Sequence, residues 1–170
     1  FSYLSLLTRA YFATKDERFS QKAIGLILDW IDTCEIERCF EGTPYVFGSY
    51  LNNAIHCAGW ARCVKMLLPE GQVSGDALLR IIKSLHDQIA YLEVVINEHA
   101  GNWPTIGCQG ILQTLAALPV FRDTDRWIDY CIETLAKQID AQILPDGVQD
   151  ELTPHYHAVV VNNLLTACES

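Results

Sequence analysis

Three stretches of the sequence combine polar side chains with aromatic rings at the start of a predicted helix. One is PDGVQDELTPHYH, residues 145–157, in which His155, Tyr156 and His157 follow a Thr-Pro pair typical of a helix start. The other two are EHAGNWPTIG, with His99, Asn102 and Trp103, and GSYLNNAIH, with Tyr50, Asn53 and His56. Amides and imidazoles bind sugar hydroxyls, and aromatic rings pack on the C–H faces of sugars. These residue types therefore predict a carbohydrate site.

The same positions suit an acidic sugar and a proton transfer. Free N–H groups and the positive end of the helix dipole attract anions to a helix N-terminus. An amide such as that of Asn102 can donate to a bound carboxylate, and the helix end favours the anionic form of a phenol such as Tyr156. Histidines beside the phenol can bind substrate or relay a proton. Each residue also has a structural interpretation, with Asn102 as a helix N-cap and Tyr156 as packing.

Helical spacing of apolar residues extends over most of the chain, and no segment alternates as a strand would. The spacing predicts helices over 1–14, 17–32, 51–68, 76–97, 103–118, 125–142 and 154–168. Helices starting near 51, 103 and 154 recur at about fifty residues, each pair bridged by one helix, as in stacked helical hairpins. Alternate helices of such an array run parallel, so these three N-termini are expected on one face, with neighbours about 10 Å apart.

Composition and charge exclude several classes of protein. The chain has 170 residues, half of them apolar and 19% charged, as a single globular domain does. Its net charge of −9 argues against nucleic acid or an anionic membrane as the main partner, since both require clustered Lys and Arg. No apolar run is long enough to span a membrane. The chain starts at Phe1 and ends within a predicted helix, so we interpret it as a fragment.

The cysteines favour a structural interpretation. There are seven and none forms a CxxC pair: Cys34, Cys39, Cys57, Cys63, Cys108, Cys131 and Cys168. Most lie on apolar helix faces, which favours small buried thiols over a zinc site or a disulfide framework. Their number favours, weakly, a reducing compartment.

Two long segments resemble the heparinase II/III-like polysaccharide lyases. They are EHAGNWPTIGCQGILQTLAALPVF and RWIDYCIETLAKQIDAQILPDGVQDELTPHYH. The most specific features are the Asn-Trp pair at 102–103 and the Asp-Gly-x-x-x-Glu-x-x-Pro-x-Tyr-His run from Asp146 to His157. Upstream, LTRAYFATKDERFSQKAIGLILDWID resembles the early helical hairpin of that family, so the similarity covers nearly the whole chain. The resemblance implies an all-α fold, an incomplete α/α toroid of stacked antiparallel helical hairpins. Residues 1–170 would be a fragment of that domain, and the β-sandwich region expected after it is absent from the chain.

The resemblance also implies a function, cleavage of a uronic-acid polysaccharide by β-elimination. Asn102 would neutralise the uronate carboxylate, and Tyr156 would act as general acid to the leaving O4 and, for some sugars, as base. Glu151 and His157 match family positions near the cleft and would bind or orient. The other substrate-binding candidates are His99, Trp103, Tyr50, Asn53 and His56.

The remaining groups are expected outside this chain. A second acid or base, often a histidine, would come from the later β-rich region. No cofactor is expected within residues 1–170, and a metal in that later region stays open. The expected partner is an acidic polysaccharide, a glycosaminoglycan or alginate, and the oligomeric state stays open. The family implies a periplasmic or secreted protein, whereas the seven cysteines keep the cytoplasm open.

One departure from the family pattern bears on the substrate. Where members commonly show a tryptophan, an acidic residue and an arginine, this sequence has Tyr50, Asn53 and His56. The loss of a fixed positive charge there, together with the net charge of −9, favours a polymer less charged than heparin.

Two other interpretations compete with the lyase. A glycoside hydrolase on a similar toroid would need two carboxylates about 5–10 Å apart, for which Asp146 and Glu151 are the candidates. A non-catalytic helical-repeat scaffold would present an apolar or charged groove to a protein partner. We rank the lyase first, the hydrolase second and the scaffold third.

Overall fold

The computed structural model describes residues 2–34 and 50–169, and within these ranges the chain is helical. Its elements are α1 (Ser2–Thr14), α2 (Glu17–Thr33), α3 (Tyr50–Leu67), α4 (Gly75–Val95), a 3₁₀ turn (Ile96–Glu98), α5 (Trp103–Ala117), α6 (Thr124–Gln142) and α7 (Pro154–Cys168). The seven predicted helices are confirmed, with ends that differ by no more than two residues. The only β-type pairing in the described ranges is one isolated bridge between Ile143 and Gln149.

Local capping explains several helix starts. The side chain of Ser74 accepts a hydrogen bond from the Ala77 N–H at the start of α4. Thr153 does the same for the Tyr156 N–H at the start of α7, where Pro154 takes the first helical position. Both caps satisfy an N–H group that the helix cannot pair internally. The Thr-Pro helix start predicted for α7 is confirmed.

The helices form two layers. The inner layer consists of α1, α3, α5 and α7 side by side, and its most extensive contact joins α3 to α5. The outer helices α2, α4 and α6 each pack against the inner helix that precedes them, which gives a series of antiparallel hairpins. The predicted fold class is confirmed: the domain is all-α, an incomplete α/α toroid of stacked hairpins. Alternate helices run parallel, so the inner helices all start at the same end.

Apolar side chains between the two layers form one continuous core. The apolar stripe on α4 is buried, with Ile81, Leu85, Ile89 and Leu92 fully inaccessible to solvent. Burial of each such side chain stabilises the fold by about 1.5–3 kcal/mol. The indole of Trp127 on α6 is also fully buried. The outer helices are thereby fixed against the inner layer whose ends carry the site.

Two glycines bring α3 and α5 close together. A Cβ atom at Gly110 would clash with the backbone carbonyl of Ala54 on α3. A Cβ atom at Gly107 would clash with the Tyr50 hydroxyl and would lie 2.6 Å from Cδ1 of Ile96. Only glycine permits this approach, and it places the N-terminus of α5 directly beside that of α3.

The cysteines in the described ranges are free thiols, buried except for Cys168. Burial raises the pKa of the Cys34, Cys57 and Cys63 thiols, which disfavours the reactive thiolate. The prediction of small buried thiols is confirmed for five of these residues. Cys39 and the predicted turn EGTPYVFG lie outside the described residues. No helix within 2–34 or 50–169 is long and apolar enough to cross a membrane.

Candidate active site

The N-termini of α3, α5 and α7 meet at one end of the inner layer. Tyr50, the first residue of α3, donates its hydroxyl to the carbonyl oxygen of Trp103, the first residue of α5, at 2.8 Å. Asn102, just before α5, donates its side-chain amide to Oε1 of Glu151, just before α7, at 3.3 Å. The predicted convergence of the three helix starts is therefore confirmed.

Three aromatic rings form one side of this site. The Tyr50 and Trp103 rings are stacked, with centroids 6.0 Å apart and 5° between their planes. The His99 ring lies 4.4 Å from Tyr50 and 4.8 Å from Trp103. Trp103 is 38% exposed and His99 is half-buried, whereas Tyr50 is only 2% exposed. Trp103 and His99 thus provide the accessible surface of the cluster.

Tyr50 supports that surface from beneath. Burial raises the pKa of its phenol, so the hydroxyl stays protonated and continues to donate to the Trp103 carbonyl. The expectation that Tyr50 contacts substrate is therefore corrected: its ring and hydroxyl are occupied by the residues that cover it.

The side chain of Asn102 does not cap α5. Its side chain is 7% exposed and makes no capping hydrogen bond to α5, which rules out the simple N-cap interpretation. The backbone carbonyl of Asn102 accepts a hydrogen bond from Oγ1 of Thr105 at 2.7 Å. The same Oγ1 accepts one from the buried amide of Asn163 on α7 at 3.2 Å. This link between α5 and α7 fixes the backbone that carries the Asn102 amide.

Gln149 anchors the loop that precedes α7. Its side chain is fully buried, and its Nε2 donates to Oδ1 of Asp150 at 2.7 Å and to Oε1 of Glu151 at 3.3 Å. Its Oε1 accepts from the Glu151 N–H at 3.1 Å. Oε1 of Glu151 therefore accepts from two amides, those of Gln149 and Asn102. Sequence reasoning missed Gln149, Thr105 and Asn163, because nothing in their local pattern signals burial.

Tyr156 and His157 occupy the first turn of α7. Tyr156 is 41% exposed, and its hydroxyl has no hydrogen-bond partner within the described parts of the chain. Nδ1 of His157 accepts from the Gln149 N–H at 3.3 Å, which places the proton of a neutral imidazole on Nε2. His157 is thereby joined to Asn102 through Gln149 and Glu151. His155 lies beside Tyr156 instead, with ring centroids 5.4 Å apart.

Two predicted binding residues do not belong to the site. Asn53 is fully buried and His56 is 3% exposed. The His56 ring packs against Trp30, at 5.3 Å in an edge contact, and against Trp60, at 5.9 Å and nearly parallel. Burial lowers the pKa of His56 to about 3, so this histidine is neutral at physiological pH. The expectation that Asn53 and His56 contact substrate is therefore corrected, because both side chains are buried.

The acidic residues near the site are arranged as turn and orienting groups. Oδ1 of Asp146 accepts from the Val148 N–H at 3.1 Å, within a turn in which Gly147 has φ +85°. Glu151 accepts from two amides. In the part of the chain that the structure describes, no three His, Cys, Asp or Glu side chains are placed to hold a metal ion.

The fold and the site define a class of protein, the α/α-toroid proteins that carry a polar and aromatic cluster at the shared N-terminal end of their inner helices. Within this class the chain belongs to the heparinase II/III family, since its whole length, residues 1–170, matches the model described as Heparinase II/III N-terminus.

Individual proteins show the same similarity. The chain is 25% identical to the heparin-sulfate lyase of Pedobacter heparinus over 157 residues, which are 92% of this chain and 24% of that protein. The crystal structure of the heparan sulfate lyase HepC from Pedobacter heparinus superposes with a TM-score of 0.76 and 22% identity, covering 96% of this chain and 25% of that one. A crystal structure of heparinase III gives a TM-score of 0.79 at 17% identity, covering 98% and 25%. The chain therefore spans about a quarter of the length of these proteins.

Proposed function

We propose that the full-length protein that carries this chain is a polysaccharide lyase, which cleaves a uronic-acid-containing polysaccharide by β-elimination. One observation carries the proposal: a nearly buried amide, that of Asn102, donates to a carboxylate oxygen where three helix N-termini meet. This arrangement suits a uronate carboxylate. The similarity of the chain to heparin-sulfate lyases supports the same reaction class.

Asn102 would neutralise the uronate carboxylate. An amide nitrogen carries two N–H bonds, so one remains for substrate while the other is held by Glu151. The free N–H groups at the start of α5 would add to the stabilisation as charge moves from C5 onto the carboxylate. One preorganised donor of this kind contributes about 3–4 kcal/mol to transition-state stabilisation. The C5 proton thereby becomes acidic enough to be removed.

Tyr156 would supply the proton transfer at the leaving group. In β-elimination a base removes the C5 proton, the C4–O4 bond breaks, a C4–C5 double bond forms and O4 takes up a proton. The exposed Tyr156 hydroxyl, without a partner among the described residues, is free to give that proton. A proton from solvent would then restore the phenol, so that it can be used in the next turnover.

The surrounding residues would hold the sugar and the catalytic amide. The exposed face of Trp103 offers a stacking surface, and His99 lies at its edge. Nε2–H of His157 points away from its bond to Gln149 and can donate to a hydroxyl. Glu151 would orient Asn102 through the bond between them.

The test is ultraviolet absorbance of the full-length protein with a panel of sulfated and unsulfated uronic-acid polysaccharides, since the new double bond is conjugated with the carboxylate. We expect absorbance to rise with at least one polymer and to fall by at least a hundredfold in Asn102→Ala and in Tyr156→Phe. Thermal unfolding should show that both variants remain folded.

Matched controls come from exposed residues of the same types on the same layer. Tyr3→Phe on α1 and Asn162→Ala on α7 remove the same groups from exposed positions and should keep full activity. Wild-type activity in Tyr156→Phe would contradict the proposed role of the phenol. New reducing ends without absorbance would instead indicate a hydrolase.

A further inference from the structure

A groove of about 310 Å³ runs along α3, between α1 and α5 on the inner layer. Small residues of α3 and α5 form its floor, among them Ala58, Gly59 and Gly110. Its polar lining includes Arg9 from α1, Arg62 from α3, and two glutamines from α5, Gln109 and Gln113. No aspartate or glutamate lines the groove, although the chain carries 21 acidic residues.

The groove leads away from the candidate active site. It begins at Leu4, Ala54 and Ile106, within about one helical turn of the helix starts that carry the aromatic cluster. It passes Arg9 and Arg62 and ends about three turns from its start, at Met66 and Gln113. A helix rises about 1.5 Å per residue, so the groove, which runs from Ala54 to Met66, extends about 18 Å along α3. This length matches about three to four sugar units at about 5 Å each, a compact ligand for a cleft of this kind.

The two arginines of the groove have no carboxylate partner within the described residues. Elsewhere on the surface many cations are neutralised, as in the pairs Lys15–Glu70, Arg18–Asp16, Arg80–Asp32, Lys83–Asp87 and Arg126–Glu93. Arg62 instead donates to a neutral acceptor, Oε1 of Gln113, at 3.2 Å. One turn further, Nζ of Lys65 is 3.4 Å from the Ala116 carbonyl oxygen. A concave surface that carries positive charges without negative ones, between apolar walls, concentrates a positive potential.

We propose that this groove is a subsite for an acidic oligosaccharide, in which Arg9 and Arg62 bind its sulfate or carboxylate groups. The guanidinium fork matches the geometry of such oxyanions, the glutamine amides can bind hydroxyls, and the small apolar floor can pack against sugar C–H faces. The inference rests on the proposed function for the choice of a polysaccharide. It adds a fixed positive charge, which the start of α3 lacks, and so extends the substrate class to polymers that carry anionic groups beyond the reacting uronate.

The test measures binding of a sulfated uronate oligosaccharide of defined length to the full-length protein by calorimetry, at two salt concentrations. We expect the double variant Arg9→Gln with Arg62→Gln to weaken binding about tenfold and to reduce its salt dependence. The matched control is Lys22→Gln with Lys137→Gln, which removes two exposed cations from the outer helices α2 and α6. Its affinity should stay within about twofold of the wild type, since these charges are distant from the groove.

Two further variants keep the test decisive if the arginine double variant fails to fold. Arg9→Lys with Arg62→Lys retains both charges and should retain most of the affinity. Ser5→Trp places a bulky ring in the groove from an exposed position on α1 and should block binding without lowering the melting temperature. A lower melting temperature with unchanged affinity would show that protein fills the groove in the longer chain, and would overturn the proposal.

The outcomes separate this subsite from the proposed reaction. Equal affinities for the two glutamine double variants would overturn the subsite, even if ultraviolet absorbance establishes a lyase. Arginine-dependent binding without any new double bond would support the subsite and contradict the lyase. A protein that binds no acidic oligosaccharide would overturn the subsite directly.

Discussion

At the scale of single residues, the site depends on how one amide is oriented. Asn102 donates to Glu151, and the buried Gln149 donates to the same carboxylate oxygen. Glu151 is therefore an acceptor that two amides share, which restricts the rotation of both. Because an amide carries its donor and its acceptor on opposite sides, fixing its orientation determines which of them meets the substrate.

Substitution of Glu151 distinguishes an orienting role from a chemical one. Glu151→Gln keeps an oxygen that can accept from Asn102 but removes a negative charge near the substrate carboxylate. We expect kcat within about threefold of wild type and a lower KM for this variant, because repulsion of the acidic substrate is reduced. Glu151→Ala removes the acceptor and should lower kcat about tenfold.

Steady-state kinetics on the full-length protein measure both effects, with Glu133→Gln on the exposed face of α6 as the control for loss of a carboxylate. A kcat in Glu151→Gln as low as that in Asn102→Ala would show that the carboxylate itself takes part in the chemistry.

At the scale of secondary-structure elements, the position of α5 against α3 decides where the site forms. Gly110 lies against the backbone of Ala54, and Gly107 lies against Tyr50, so the two helices meet with almost no side chain between them. Such close packing allows Tyr50 to reach the carbonyl of Trp103 across the helix ends. The aromatic cluster of the site is thus a consequence of this helix contact.

Gly110→Ala should separate the two helices. Its Cβ would meet backbone atoms of α3, which cannot rotate away as a side chain would. We expect a decrease of about 1–3 kcal/mol in the free energy of unfolding, measured by urea denaturation with circular dichroism. The control is Gly25→Ala on α2, where a new Cβ has no neighbour within 4 Å among the described residues. It should stabilise the protein by about 0.5–1 kcal/mol through helix propensity. Equal effects of the two substitutions would contradict the close-packing argument.

At the scale of the whole molecule, the charges are distributed unevenly. A net charge of −9 opposes the approach of an acidic polymer, and many cations of the outer helices are compensated by neighbouring carboxylates. The cations of the inner groove retain their field because no carboxylate lines that groove. Binding of a polyanion would then depend on local potential and not on total charge, with a strong effect of salt.

Acid sensitivity of the whole fold is expected from His56. Its pKa is lowered to about 3 in the folded state, while an exposed histidine in the unfolded chain titrates near 6.5. Between these values the unfolded chain binds a proton that the folded protein excludes, so stability is lost as pH falls below about 6.5. Through this residue alone, the free energy of unfolding decreases by about 2 kcal/mol when the pH is lowered to 5.

Urea denaturation at pH 7 and pH 5 measures this loss. His56→Phe keeps an aromatic ring against Trp30 and Trp60 but cannot titrate, so its stability should depend less on pH than that of the wild type. An identical loss in both proteins would mean that His56 is not the source.

The sequence by itself determined the helices, because apolar periodicity and capping are local properties that each segment carries. It also determined that the starts of α3, α5 and α7 converge, since alternate helices of stacked hairpins run parallel. The sequence also predicted the polar character of the segments around Asn102 and Tyr156, and the Thr153 cap.

Only the tertiary structure decided which side chains remain accessible at that end. Apolar and polar residues are spread around α3, so its sequence does not show which face is covered, and Tyr50, Asn53 and His56 proved to be buried. Gln149 is buried by residues that its own segment does not contain. Arg9 and Arg62, which line the same groove, are far apart in the chain. Burial and groove shape depend on how closely neighbouring helices approach, and that distance is fixed by contacts such as Gly110 on Ala54 that no single segment encodes.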